Sequence, residues 1–355
     1  MQNLVLYREN YSQINKKITY YKRLGIHGLL INPFSEINEK IIEEIFALND
    51  LLVKNNIKLF LQMDIEQSSK ILLESDEQID WVNPKIRTSF YQFINYLKKY
   101  KLKGFYYTNF EKLFADDFYF YIREMAKNIF LGEDTLSIGQ INSDELAYQK
   151  FLSNTNYQNF DYIYNKKNSK KNMTDLQEVK KYFSSIQNEN IRQIFITDNL
   201  LKNFINTKNF PFFSHSLVTG VTFLLNGGVL LENFEELGIF ENNNYSNDHK
   251  VLDQTNKTFE FYKELINIKT NIEAIKRGTY REIFANDPDI FAFIRTYEEK
   301  KVIVFANFSQ KEVLADIRFH FIDINDFKYF LGNYGKRKIA KNLLLRPYEF
   351  ITFTK

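Results

Sequence analysis

Gly104-Phe105-Tyr106-Tyr107-Thr108-Asn109 is the stretch from which the fold is read. It follows a helical segment that runs from about Ile86 to Tyr100. It begins with Gly-Phe and reads as a short buried strand leading to a loop.

The same alternation extends in both directions. Upstream, Leu4-Val5-Leu6-Tyr7 reads as a first strand. Ser12 can cap a helix whose apolar positions, Ile14, Ile18, Tyr21 and Leu24, recur at helical spacing, and Gly25 stands where a left-handed cap favours glycine. The continuous apolar run Gly28 to Pro33 suits a strand covered on both faces. Ile41 to Leu52 reads as a helix and Ile57 to Leu61 as the third strand. Downstream, Asp116 can cap a helix through Lys127, and Asn128 to Glu133 reads as the end of the fifth strand. Phe160 to Tyr164 is the sixth, Ile194 to Asp198 the seventh and Val229 to Glu232 the eighth. Thr174 with Gln177 has the spacing of a capping box for a helix through Phe183, and a last helix spans about Asn256 to Asn271. About eight strand–helix units imply a parallel sheet closed as a (β/α)8 TIM barrel, which takes about 250 residues. Residues 1–278 fit that size. After Gly278 the texture changes to short β-rich runs separated by turns such as Asn286-Asp287-Pro288, so 279–355 is expected to form an antiparallel β-sandwich domain.

Composition excludes several classes of function. Lys+Arg number 47 against 44 Asp+Glu, a formal charge of +3, which gives no reason to expect a nucleic acid partner. There is no cysteine, hence no disulfide framework and no thiolate metal site. His27, His215, His249 and His320 show no metal-ligand spacing, so neither a metal nor a cofactor is expected. Gly227-Gly228 is followed by no Lys-Ser/Thr and reads as a tight turn rather than a phosphate loop. The N-terminal apolar run Leu4 to Leu6 is too short for a signal peptide. The longest apolar region, Leu217 to Leu231, is broken by Thr219, Gly220, Asn226 and Gly227-Gly228, so no membrane span and a cytoplasmic location are expected.

Several stretches together resemble the α-amylase family, glycoside hydrolase family 13, in its oligo-1,6-glucosidase and trehalose-6-phosphate hydrolase branch. Leu24 to Pro33 looks like that family's second strand, and Trp81-Val82-Asn83-Pro84-Lys85-Ile86-Arg87 is similar to its Trp-X-Asn-Pro-X-X-Arg run. Gly227-Gly228-Val229 through Glu235-Glu236-Leu237-Gly238 lines up on its eighth strand. Phe261 to Ile266, Phe291 to Arg295, Val304 to Ser309 and Leu345 to Glu349 continue the likeness into the C-terminal β-domain.

The resemblance implies where catalytic groups belong, and there the chain departs. In the family the fourth strand carries Gly-Phe-Arg-X-Asp, with the Asp as nucleophile; here Tyr106 replaces the Arg and Thr108 the Asp. The family's long insertion after the third strand is missing, since Gln67 to Lys103 leaves room for a helix and little else. Gln62, Glu66 and Gln67 occupy the places of the third strand's Asp and the following Asn-His. The seventh strand's Asn-His-Asp aligns without a gap on Asp198-Asn199-Leu200, so Leu200 replaces the transition-state Asp, while a slip of one or two residues would put Asp198 nearer that role. Gly132-Glu133 matches the Gly-Glu of the fifth strand, which makes Glu133 the candidate acid/base.

Retaining glycosidases need two carboxyl groups about 5 Å apart, one acid and one nucleophile. Thr108 has no low pKa and cannot readily replace one. The resemblance therefore implies a protein that has lost hydrolysis and acts as a scaffold, binding a protein partner or an oligosaccharide. The alternative is an active α-glucosidase-like enzyme using Glu133 with a relocated carboxylate among Glu66, Asp198 and Glu232 at the predicted strand ends. Tyr106, Tyr107 and Tyr121 can stack on sugars but equally fill the core in a chain with 23 tyrosines.

Overall fold

The computed structural model describes residues 4–32, 38–73, 79–114, 117–130, 135–153, 159–169, 173–196, 201–206, 208–237, 257–320 and 322–355. Eight parallel strands form one sheet: β1 (Val5–Glu9), β2 (Gly28–Ile31), β3 (Lys58–Asp64), β4 (Gly104–Thr108), β5 (Leu136–Ile141), β6 (Tyr162–Asn165), β7 (Ile194–Ile196) and β8 (Gly228–Leu231). Their order is β6-β5-β4-β3-β2-β1-β8-β7. The Ile163 N–H donates to the Arg192 carbonyl and Ile163 bridges Gln193 in parallel register, which brings the two ends of the sheet together as a (β/α)8 barrel. Helices intervene: α1 (Ile14–Leu24), α2 (Glu39–Lys54), α3 (Ile65–Leu72), α4 (Pro84–Lys99), α5 (Phe110–Leu113), α6 (Phe118–Met125), α7 (Leu146–Ser153), α8 (Lys166–Ser169), α9 (Leu176–Asn188), α10 (Pro211–Leu224), α11 (Lys257–Asn271) and α12 (Glu273–Arg277).

Local chemistry explains the boundaries. Gly25 ends α1 at φ 88°, a left-handed conformation that costs glycine little. Asn38, Asp64, Asn83 and Asp175 each cap a helix by accepting a backbone N–H. Asp175 takes the place expected of Thr174, and the cap of α1 is Gln13, whose side chain makes no capping bond, rather than Ser12. Asp116, the expected cap of the α6 region, lies outside the described residues. The segment between β3 and β4 holds two helices, α3 and α4, where one was expected. Gly104 stands opposite Phe60 in the β3–β4 register, and a Cβ there would lie 2.0 Å from the Phe60 ring. The missing side chain of Gly104 leaves the space that one edge of the Phe60 ring occupies.

The chain divides into two compact units. Leu6–Lys167 with Asn190–Ile194 contains β2 to β6 and their helices. The other unit joins Met1–Val5 and Asn168–Glu189 to Phe195–Lys355, so it holds α9, β8, α10 to α12 and the C-terminal strands. Those strands are β9 (Thr279–Ile283), β10 (Ile290–Tyr297), β11 (Lys300–Asn307), β12 (Val313–Asp316), β13 (Lys328–Gly332), β14 (Asn342–Leu345) and β15 (Phe350–Thr354). They make a five-stranded antiparallel sheet, β13-β15-β11-β10-β9, and a two-stranded one, β12-β14. Ile303, Phe305, Ile351 and Phe353 from the larger sheet share one buried core with Ala315, Leu343 and Leu345 from the smaller. Within this unit the buried Lys180 of α9 donates to the carbonyls of Phe284, Asp287 and Ile290 at 2.7, 2.8 and 3.0 Å, which fixes the turn between β9 and β10. Among the described residues no helix is long and apolar enough to cross a membrane. The region Leu217 to Leu231 splits between α10 and β8.

Candidate functional site

The C-terminal strand ends of β3, β4 and β5 assemble a compact polar group in the first unit. Side chains alternate along β4. Tyr107 packs its ring against Phe90, Phe130 and Phe160, and Tyr106 and Thr108 share the opposite face. The Tyr106 hydroxyl donates to Gln140 Oε1 on β5 at 2.8 Å. Thr108 is 3% exposed, and its Oγ1 has no hydrogen-bond partner among the described residues. Asp64 pairs with Thr108 in the β3–β4 register. Its Oδ1 accepts the Gln67 N–H at 3.0 Å, and its Oδ2 accepts Asn109 Nδ2. Asn109 is held at φ 58°, a left-handed position that asparagine tolerates. Glu111, in the first turn of α5, accepts the Tyr148 hydroxyl at 2.8 Å, and burial raises its carboxyl above the usual range. At the end of β1, the buried Glu9 accepts Lys17 Nζ and the Tyr21 hydroxyl, each at 2.8 Å.

The expected site residues fall differently from their reading in sequence. Glu133, Asp198 and Leu200 lie outside the described residues. Residues 128–130 do not belong to a strand: α6 continues through a π-helical turn, Ala126–Phe130, that buries Ile129 and Phe130. The fifth strand is Leu136–Ile141, and the glycine pair within it is Gly139-Gln140. Glu66 is not a strand-end acid, because β3 runs on to Asp64 and Glu66 sits in the first turn of α3, 3.3 Å from Lys70. Gln67 is likewise helical, bound through its backbone to Asp64. Tyr106 and Thr108 stand on β4 as expected. Sequence reasoning missed Asp64, Gln140 and Glu111. The alternation of Leu61 and Met63 with Gln62 and Asp64 was the signal that β3 extends beyond Leu61. Among the described residues no group of three or more His, Asp or Glu is placed to hold a metal.

In the second unit, Glu232 directly follows β8, and its N–H donates to Glu235 Oε2 at 3.1 Å. Glu235 Oε1 accepts the Tyr262 hydroxyl at 3.0 Å, and that hydroxyl also lies 3.0 Å from His215 Nε2. His215 is 2% exposed, and burial lowers its pKa from 6.5 to about 4. The folded protein thus keeps His215 neutral, while the unfolded chain takes up a proton below 6.5. Its contribution is complete above pH 6.5 and is lost as pH falls toward about 4, for a total of about 3 kcal/mol. Urea unfolding across that window should show stability falling with acid, and His215→Gln should flatten the slope.

Residues 290–351 match the Alpha-amylase SusG C-terminal domain. The oligo-1,6-glucosidase of Bacillus cereus is 33% identical over 115 residues, 32% of this chain and 20% of that enzyme. The trehalose-6-phosphate hydrolase of Bacillus subtilis (strain 168) is 32% identical over 108 residues, 30% of this chain and 19% of that enzyme. The crystal structure of Bacillus licheniformis trehalose-6-phosphate hydrolase superimposes with a TM-score of 0.81 at 13% identity, covering 99% of each chain. These matches together support this chain's membership of glycoside hydrolase family 13. Its sequence matches span only about a fifth of these family-13 enzymes. The barrel followed by antiparallel C-terminal sheets is the family-13 architecture. Sites in such barrels are built at the C-terminal strand ends, where Asp64, Thr108 and Gln140 stand.

Proposed function

We propose that this chain is a family-13 protein that does not hydrolyse glycosides and uses its barrel mouth as a weak binding site for neutral oligosaccharides. One observation carries the reading. The end of β4, where the family resemblance puts the nucleophile, bears Thr108, and β5, the strand to which it assigns the acid, carries the amide of Gln140 after Gly139. Neither group ionises near neutral pH, so neither can attack the anomeric carbon or protonate a leaving oxygen. Both can hydrogen-bond sugar hydroxyls, and the Thr108 Oγ1 is a buried donor still in want of a partner. Asp64 is a carboxylate, but both oxygens are engaged in ordering Asn109 and the start of α3.

The short β3–β4 connection leaves the mouth with little to enclose a ligand, so affinities on the order of millimolar are expected. The cysteine-free composition is in keeping with the cytoplasm. Calorimetric titration with isomaltose and maltotriose tests the reading. Binding should be measurable in the parent protein and should weaken about fivefold in Tyr106→Phe, which frees the Gln140 amide to reorient. No binding of either sugar would leave a protein-partner scaffold as the role.

A further inference from the structure

We propose that the two-stranded sheet of the C-terminal region docks peripherally on an anionic lipid surface. This proposal stands apart from the barrel mouth and does not depend on whether hydrolysis is lost. Leu314 on β12 and Leu344 on β14 face each other directly in register and are 54% and 46% exposed. Their neighbours Ala315, Leu343 and Leu345 point the other way, into the shared core. Phe319, in the turn that follows β12, is 75% exposed, the highest value among the exposed large apolar side chains of the described residues. Two leucines and a protruding phenylalanine on one small sheet are more than the scattered apolar exposure of an ordinary surface.

Charge selects the occupant. From Lys336 to Arg346 the chain carries Lys336, Arg337, Lys338, Lys341 and Arg346 and no acidic residue. These cations are tied to the patch. Lys341 precedes β14 and accepts the Ile317 N–H on its carbonyl, Arg346 follows β14, and Arg337 Nη1 donates to the Leu344 carbonyl at 2.7 Å. Arg318 sits 6.0 Å from the Phe319 ring centroid. The acids nearby are Glu312 beside β12, Asp316, which is paired with Arg318, and Glu349, which is paired with Arg337. The surplus is positive, so a second copy of the same face would be repelled. A side chain as exposed as Phe319 protrudes, which suits insertion into a deformable interface better than a rigid complementary groove. Basic residues around exposed Phe and Leu are the composition that binds at the headgroup level of anionic bilayers.

The test is co-sedimentation of the full chain with vesicles of phosphatidylcholine alone and of phosphatidylcholine mixed with phosphatidylserine, at low and high salt. Binding to the mixed vesicles only, reversed by salt, is the expected result. The Phe319→Ser/Leu344→Ser variant should bind about tenfold more weakly, and so should Lys338→Glu/Lys341→Glu. All four side chains are exposed, so the thermal transition should stay in place. Failure of the parent protein to bind mixed vesicles overturns the proposal, and so does binding that neither variant changes. Retention of the chain by polyglutamate without retention by vesicles also overturns it, in favour of an acidic polypeptide partner.

Discussion

Purified protein incubated with a panel of α-linked glucosides is expected to release no sugar above background, and Glu133→Gln is expected to behave identically. Loss of one member of a coupled catalytic set removes rate on the order of 10³ or more, and losses within such a set do not add, because each member depends on the others. On the proposed reading the β4 end presents Thr108 and β5 presents Gln140 after Gly139, so neither of these two strand ends offers the carboxylate that the two-carboxylate mechanism needs. A hydroxyl cannot stabilise the oxocarbenium-like charge that a carboxylate would face, and an amide has no proton to give at neutral pH. Turnover that disappears in Glu133→Gln would show that the segment 131–134 supplies an acid from outside the described strands. Turnover that persists there but is lost in Glu111→Gln would place the acid on α5. Its carboxyl is the one near the β4 end that burial holds above the ordinary range.

Phe60→Ala is expected to destabilise the barrel by about 3–5 kcal/mol, the usual cost of emptying a fully buried phenylalanine site. Phe60 is 0% exposed, and its ring is what a Cβ at Gly104 would meet, at 2.0 Å; at Gly28 a Cβ would meet Leu6 at 2.6 Å and the Phe60 ring at 3.1 Å. Gly104→Ala in the parent protein should cost about 1–3 kcal/mol, since the clash is with a ring packed on every side. The two effects should couple: with the ring removed, the alanine methyl enters the space it vacated, so the double variant should be more stable than the sum of the single losses implies. Urea midpoints of the four proteins check this. Simple additivity would mean that Gly104 is required for some other reason than the ring.

Much of this architecture is legible before any coordinates. The continuous apolar runs at Gly28 and Gly104 suit strands covered on both faces, each follows a helical segment, and Gly25 marks the end of the first of these helices. The change of texture at Gly278 falls next to the first residue of β9, Thr279. The fifth strand is harder to read because Asn128-Ile129-Phe130-Leu131 is a short apolar run, which periodicity alone cannot assign to helix or strand. Ile129 and Phe130 are in fact the buried end of a helical segment, and the true strand is disguised by Gly139 and Gln140 in its interior. That strand carries Gln140 after Gly139, whereas Glu133 lies among residues outside the described ones. Asp64 is hidden because the run read as the third strand stops at Leu61, whereas β3 continues for three further residues. The networks of Glu235 with Tyr262 and His215, and of Lys180 with the β9–β10 turn, join residues up to 110 positions apart, a separation that local pattern does not reach.

The account rests on the absence of a working nucleophile on β4 and its neighbours. Incubation with 5-fluoro-α-D-glucosyl fluoride followed by intact mass measurement tests this most directly. That reagent forms its glycosyl–enzyme ester quickly but hydrolyses slowly, so any competent carboxylate accumulates as an adduct. The account predicts an unchanged mass after prolonged incubation. A single fluoroglucosyl adduct on a peptide carrying Asp64, Glu111, Glu133, Asp198 or Glu232 would contradict it and would name the nucleophile.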